Sequence, residues 1–171
     1  MHQLIVENPG RINKAIPKIE KKIKIKIIVS GDKANLKGSE LNEFLAVKII
    51  RAVDFGFDVE DAFLLLNEDF NLKFIDIKEH TRRKKLEEVR GRVIGREGRA
   101  KGTIEELISG KIVVHGNRVG IIVDSEHLDA AVQAIQNLIQ GAKHANIFAY
   151  LERRNRDLKM FGDDLGLKEK K

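Results

Sequence analysis

The composition describes a folded, highly charged chain of 171 residues, long enough for one ordinary domain or two small ones. Hydrophobic residues make up 42% of the chain, enough to bury a core, and charged residues make up 34%. The lack of cysteine excludes disulfides, thiolate zinc sites and cysteine nucleophiles. Because the sequence shows neither a signal-peptide pattern nor an uncharged apolar run that approaches a bilayer span, we expect a cytoplasmic protein.

The positive charge is concentrated in one segment. The whole chain has a net charge of +6. Residues 81–101 contain nine lysines and arginines against three glutamates, and nine minus three accounts for the full excess. A basic segment of this kind indicates one site for a polyanion rather than a general aid to solubility.

The sequence predicts three strands in the first part of the chain. Residues 3–6 form a short apolar run that an Asn-Pro-Gly turn ends. Residues 23–29 alternate lysine with isoleucine before a continuous apolar run, which is typical of a strand with one solvent-exposed face. Residues 34–37 supply a short return strand.

Two helical stretches accompany these strands. Apolar residues recur every three or four positions from Ile12 to Ile23, but Pro17 interrupts the stripe and is best placed in the first turn of a second helix. Ser39 caps a longer helix that Gly56 ends. The predicted order is strand, broken helix, two strands, helix.

A short helix over residues 59–67, capped by Asp58, joins the two halves of the chain. The simpler interpretation of this leucine- and phenylalanine-rich helix is a piece of core without a binding role. Beyond it the order of the first half repeats. The predicted elements are a strand over 72–78, a basic helix capped by Thr81, a glycine loop, a second helix ending at Ser109 and Gly110, strands over 111–115 and 118–123 around a Gly116-Asn117 turn, a regular helix that Gly141 ends, and a further helix from Ala145. The apolar stripe of this last helix comprises Ile147, Leu151 and Leu158.

This repeat divides the chain into four predicted parts. They are a degenerate unit at 1–57, a linking helix at 58–70, a complete unit with the glycine loop at 71–141, and a C-terminal helix and tail at 142–171.

The loop Gly95-Arg96-Glu97-Gly98 carries the clearest functional signal. Its two glycines let the backbone approach a ligand without a Cβ in the way. The helix that follows points its free N–H groups and the positive end of its dipole at the loop. The bound group should therefore be an anion, and the surrounding arginines indicate phosphate.

The apolar pair Val93-Ile94, the G-x-x-G loop and the amphipathic helix through Ile104 resemble a KH RNA-binding domain. Two strands and a helix follow the loop, which is the order of the type I variant. The resemblance implies an α+β fold of two tandem type I KH-like units of order β-α-α-β-β-α. Each would be a three-stranded antiparallel sheet with helices on one face, and a C-terminal helix would follow.

The tandem units and the segments 51–57 (Arg-Ala-Val-Asp-Phe-Gly-Phe) and 139–144 (Ile-Gln-Gly-Ala-Lys-His) resemble the archaeal form of the Partner-of-Nob-One family. These are assembly factors of the small ribosomal subunit. The resemblance covers nearly the whole chain. It implies a non-enzymatic protein without cofactors that binds the single-stranded 3′ end region of small-subunit pre-ribosomal RNA in the pre-ribosomal small subunit. It also implies that the protein assists the Nob One endonuclease, which trims that end.

Two positions depart from the family pattern. Residues 11–18 stand where the first unit would have its own clamp, yet they hold no glycine pair. That unit would then serve as a scaffold or a protein interface. In the second unit, the negative charge of Glu97 would oppose a phosphate bound at the loop.

The candidate RNA-binding residues are the loop and its predicted walls. Residues 95–98 would clamp the phosphates of about four nucleotides of single-stranded RNA, with the bases over an apolar groove beside residues 112–114. The full set is Arg92, Val93, Ile94, Gly95, Arg96, Glu97, Gly98, Arg99, Lys101, Ile104, Val113 and His115. A plain glycine turn on a charged surface is the alternative for the loop. His115 would either stack on a base or be a half-exposed strand residue.

Other chemistries have little support in the sequence. The histidines show no pair at metal-ligand spacing, so we predict no metal. The chain also lacks a Gly-Lys-Ser/Thr phosphate loop and the spaced carboxylates of two-metal nucleases. Two classes stay open: an RNA-binding assembly factor, and a protein-interaction scaffold for a nuclease or translation factor with only weak RNA binding.

Overall fold

The computed structural model describes residues 1–164, and residues 165–171 of the predicted C-terminal part lie outside it. The first unit comprises β1 (His2–Ile5), α1 (Pro9–Lys22), β2 (Ile25–Ser30), β3 (Lys33–Gly38) and α2 (Glu40–Phe55). Its strands form an antiparallel sheet in the order β1-β3-β2. The core of this unit lies between the sheet and the two helices, where Ile12, Leu36 and Ile49 are fully buried.

The helix α1 is continuous, whereas the sequence predicted a break at Pro17. A proline has no N–H to donate to the carbonyl four residues earlier, which here belongs to Asn13. Pro17 and Asn13 both lie on the exposed side of the helix, so water can reach that carbonyl. On the other side, Ile12 and Ile19 are fully buried and hold the helix against the sheet. The first unit therefore has one helix where the predicted order has two.

The predicted ends of α2 are confirmed. The Ser39 hydroxyl accepts a hydrogen bond from the Asn42 N–H at 3.2 Å, and Gly56 ends the helix with a φ of 136°. The segment after it is less regular than predicted, since α3 (Val59–Ala62) passes into a 3-10 turn (Phe63–Leu66). The Asp58 side chain makes no capping bond there.

The second unit comprises β4 (Phe70–Asp76), the short α4 (Ile77–His80), α5 (Leu86–Ile94), α6 (Arg99–Ile108), β5 (Lys111–His115), β6 (Arg118–Asp124) and α7 (Leu128–Gln140). Its antiparallel sheet has the order β4-β6-β5. His115 pairs with Arg118 across a two-residue turn, as the Gly116-Asn117 sequence predicts. A second core lies between this sheet and the helices.

The predicted basic helix starts later than its sequence indicates. Thr81 does not cap it; the Thr81 hydroxyl instead accepts a bond from the Arg83 N–H at 3.2 Å within a local turn, and α5 begins at Leu86. If the helix began after Thr81, the four consecutive cations at 82–85 would lie in its first turn, at the positive end of the helix dipole, which disfavours them. The helix starts where Glu87 and Glu88 supply negative charge to its first turn.

A C-terminal helix, α8 (His144–Asp164), packs against α6 and α7. Ile147 and Leu151 are buried, as their predicted stripe requires, and the Asn155 side-chain amide donates to the Leu107 carbonyl at 2.7 Å. None of the helices within residues 1–164 is long and apolar enough to cross a membrane.

The first unit covers the face of the second sheet that lies away from its helices. A Cβ at Gly120 of β6 would lie only 2.7 Å from Phe55 Cε1 and 2.9 Å from Phe57 Cε2. The ring centroids of Phe55 and Phe74 are 4.7 Å apart, and Ile122 belongs to the core of the first unit. The strand β6 is therefore buried on both faces, and the two units share one interface.

Candidate nucleic-acid interface

The glycine loop between α5 and α6 has a backbone that only small residues adopt easily. Gly95 has a φ of 76° and a ψ of 173°, and Gly98 has a φ of 74° and a ψ of 11°. Glu97 between them also has a positive φ, of 55°, which is uncommon for a residue with a side chain. Three left-handed positions in four residues turn the chain tightly from one helix into the next.

The two glycines have different surroundings. A Cβ at Gly95 would lie 2.5 Å from the Ala100 Cβ and 2.7 Å from the Ala100 nitrogen, so the loop packs against the first turn of α6 there. A Cβ at Gly98 would meet nothing within 4 Å. Gly95 is therefore required by the fold of the loop, whereas Gly98 leaves open space on the side where a ligand would approach.

The start of α6 presents hydrogen-bond donors and positive charge at this open space. Gly98 occupies the N-cap position and has no side chain to bond the first N–H groups of the helix. Arg96 and Arg99 are exposed beside it. The Arg99 guanidinium lies 3.3 Å from the Glu97 carboxylate, so the glutamate in the loop has a local cation beside it.

Two more of the predicted phosphate ligands, like Arg99, have partners within the protein. The Arg92 guanidinium donates to the carbonyl of Ala142 in the connection between α7 and α8, and the Arg92 carbonyl accepts a bond from His144 Nε2 at 2.7 Å. The Lys101 ammonium lies 2.8 Å from Glu105. The structure thus brings Arg96, Arg99 and the glycine loop together, and directs Arg92 toward α8.

The predicted apolar groove is smaller than expected. Val93 and Ile104 are fully buried in the core, so their side chains cannot contact a base. Ile94 remains 37% exposed next to the loop. Across the groove, Glu105 accepts a bond from the Ile112 N–H at 3.2 Å, so the ion pair of Glu105 with Lys101 faces β5.

Val113 and His115 lie on the opposite face of the sheet from the loop. Side chains alternate along a strand, and Ile112 and Val114 of β5 pack into the core with the helices. Val113 packs against the core of the first unit, and the ring centroid of His115 is 5.7 Å from that of Phe55. This placement corrects the prediction that both side chains border the groove.

The basic segment is also divided by the fold. The helix α5 has nine residues and spans roughly 13 Å. Residues 82–85 are exposed before its first turn, whereas the glycine loop follows its last. The single basic patch that the sequence predicted is therefore two surfaces at opposite ends of one helix.

A cleft beside the loop involves residues that the sequence analysis missed. It has a volume of about 330 Å³ and lies between α6 and α8. Its lining is Gly95, Arg96, Arg99, Ala100, Thr103, His144 and Phe148. No local signal identifies Phe148 or His144, because they lie about fifty residues along the chain from the loop and reach it only through the packing of α8. Within residues 1–164, no group of three or more potential ligands could hold a metal ion.

The comparisons with known proteins agree with this geometry. The family model for the second KH domain of PNO1 proteins, described as a eukaryotic-type (type I) KH domain, matches residues 71–156. A KH domain-containing protein of Methanocaldococcus jannaschii is 31% identical over 161 residues, which cover 91% of this chain and 70% of that protein. The pre-rRNA-processing protein PNO1 of Chaetomium thermophilum is 27% identical over 138 residues, which cover 74% of this chain and 52% of that protein. The chain belongs to the PNO1 family of KH-domain proteins.

Solved structures from the PNO1 (Dim2) family have the same fold. A chain in the crystal structure of the a/eIF2alpha-aDim2p-rRNA complex from Pyrococcus horikoshii matches with a TM-score of 0.81 and 32% identity, over 91% of this chain and 94% of that one. Dim2p from the same organism matches with a TM-score of 0.79 and 31% identity, over 89% and 98%. The predicted fold class of two KH-like units with a C-terminal helix is thereby confirmed. The present chain spans about half the length of the PNO1 protein from Chaetomium thermophilum.

Proposed function

We propose that this chain is an RNA-binding assembly factor of the small ribosomal subunit, and that the unit at 71–141 holds single-stranded RNA from the 3′ end region of the pre-ribosomal RNA. The observation that carries the proposal is the open glycine loop at the start of α6, with exposed Arg96 and Arg99 beside it. A relative is named for pre-rRNA processing, and a structural neighbour forms a complex with rRNA.

The loop would bind the RNA backbone in the following way. The Arg99 N–H already donates to the Arg96 carbonyl, so the N–H groups that follow it in the first turn of α6 would donate to phosphate oxygens, since the N-cap glycine has no side chain to occupy them. Arg96 and Arg99 would pair with neighbouring phosphates, so that about four nucleotides lie along the loop. Bases on the β5 side would rest on Ile94, the exposed apolar residue there. Only binding is proposed, without catalysis, cofactor or metal.

Within the pre-ribosomal small subunit, we propose that RNA held in this way is presented to the Nob One endonuclease. A cleavage assay with purified endonuclease and a precursor fragment tests this role. The protein should increase the rate or accuracy of cleavage at the mature 3′ end. An unchanged cleavage pattern would leave RNA binding as the whole function.

A second candidate function is a protein-interaction scaffold with weak RNA binding. The first unit favours it, since α1 runs unbroken through residues 11–18 and forms no clamp. Arg11 is also bonded within the unit, to the carbonyls of Val53 and Gly56 at the end of α2.

Fluorescence anisotropy distinguishes the two candidates. A single-stranded RNA matching the 3′ end of small-subunit rRNA and a scrambled oligomer are titrated with the wild type, Gly98→Asp and Gly98→Asn. Asparagine and aspartate have nearly the same shape and both tolerate the left-handed conformation, so only the charge differs. We expect tight binding of the matching RNA by the wild type, a modest loss for Gly98→Asn and loss of binding for Gly98→Asp. Equal affinities for the two variants, or no binding at all, would favour the scaffold.

A further inference from the structure

We infer that the cleft between α6 and α8 is a second base site, which receives a nucleobase adjacent to the phosphates held by the glycine loop. The inference rests on the proposed RNA binding and extends it to a surface that α8 helps to build. The cleft is continuous with the loop, because Gly95 and Arg96 belong to both.

The two sides of α6 differ in what they face. Lys101 and Glu105 face β5, as the bond from the Ile112 N–H to Glu105 shows. The opposite side faces α8, since Leu107 accepts a bond from Asn155 and Thr103 lines the cleft. The cleft is therefore a separate opening from the groove on the β5 side, and the loop lies between the two.

The lining of the cleft suits a base with its phosphate. Ala100 and the half-buried Phe148 supply apolar surface, and Arg96 and Arg99 add two positive charges. Bases of single-stranded RNA stack on aromatic rings and on arginine planes, and their phosphates pair with cations. Because Arg99 already has the Glu97 carboxylate beside it, Arg96 is the cation of the lining that a phosphate would engage first, and an apolar ligand without negative charge would not engage it.

Hydrogen bonds fix the inner wall of this cleft before any ligand binds. The His144 ring lies 6.2 Å from the Phe148 ring and donates to the Arg92 carbonyl at 2.7 Å. The Arg92 guanidinium in turn donates to the Ala142 carbonyl. These contacts join α5 to the start of α8, so Arg92 acts as a positioning residue for the cleft rather than as a phosphate ligand.

An abasic scan on a cleft-filling variant tests the inference. Thr103→Leu places a larger apolar side chain in the cleft at a half-buried helix position, and leucine is a good helix former. Thr103→Ala leaves the cleft open and is the matched control. Each protein is titrated with an RNA of eight nucleotides and with versions in which one base at a time is removed.

For the wild type and Thr103→Ala, we expect one position flanking the clamped nucleotides at which removal of the base weakens binding on the order of tenfold, the size of a base-stacking contact. Thr103→Leu should bind the intact RNA weaker by a similar factor and show no further loss at that position. The variant Phe148→Leu, which keeps the apolar volume but removes the ring, should give the same pattern and serves if Thr103→Leu does not fold.

Two outcomes would overturn the inference, and they are distinguishable. If Thr103→Leu and Phe148→Leu bind the intact RNA as the wild type does, with the same abasic profile, the cleft holds no base although the loop binds RNA. If wild-type binding is absent or unaffected by Gly98→Asp, the proposed RNA clamp itself fails, and the base site fails with it.

Discussion

Replacing Gly95 by alanine tests whether the fold of the loop, rather than its ligand, requires a glycine at this position. The φ of 76° and ψ of 173° lie in a region that is nearly restricted to glycine and costs other residues about 1–3 kcal/mol. The new Cβ would also lie 2.5 Å from the Ala100 Cβ, and overpacking of this kind costs about 1–3 kcal/mol. Alanine also reduces the entropy of the unfolded chain, which offsets roughly 0.4–1 kcal/mol, so we expect Gly95→Ala to lower the free energy of unfolding by about 3 kcal/mol in total.

Gly98→Ala is the matched control for this substitution. The φ of Gly98, 74°, is also left-handed, but a Cβ at this position would meet nothing within 4 Å. The cost should be about 1 kcal/mol, because alanine also reduces the entropy of the unfolded chain. Thermal unfolding followed by circular dichroism should show a melting temperature about 10 °C lower for Gly95→Ala and only a few degrees lower for Gly98→Ala. Equal shifts for the two variants would refute the packing argument.

Three further predictions concern the charges of the loop and the interface between the units. Arg96→Ala should weaken RNA binding and reduce the log–log slope of affinity against salt by about 0.7, whereas Arg82→Ala, at the far end of α5, should leave the slope unchanged in the same titrations. Glu97→Gln should strengthen RNA binding by up to about 1 kcal/mol in anisotropy titrations, since it removes a charge that opposes phosphate and competes for an arginine; weaker binding would contradict this. Gly120→Ala should cost about 1–3 kcal/mol of stability, because its Cβ would lie 2.7 Å from the Phe55 ring, while RNA affinity stays the same; a normal melting temperature would show that the interface can adjust.

The features that the sequence predicted well depend on local signals. The Gly116-Asn117 turn fixes the hairpin of β5 and β6, and Ser39 and Gly56 set the ends of α2. The position of the glycine loop between two helices follows from the residues around it. Periodicity also placed the buried stripe of α8.

Apart from the helix caps expected at Asp58 and Thr81, the wrong predictions concern contacts between distant parts of the chain. Pro17 would break an isolated helix, yet burial of the opposite side of α1 keeps that helix whole. Val113 and His115 follow the loop closely in sequence, but strand alternation and the packing of the first unit place them on the other face of the sheet. Arg92 resembles any other arginine near the loop, and only the connection between α7 and α8 reveals its partner.

The central claim is that RNA binds at the glycine loop, and NMR mapping of the backbone amides tests it most directly. The uniformly ¹⁵N-labelled chain is titrated with a short single-stranded RNA that matches the 3′ end of small-subunit rRNA. The account predicts that the largest chemical-shift changes occur at the amides of residues 95–103, with smaller ones at β5 and at the start of α8. Changes concentrated in α1 or on the first sheet, with residues 95–103 unaffected, would contradict it.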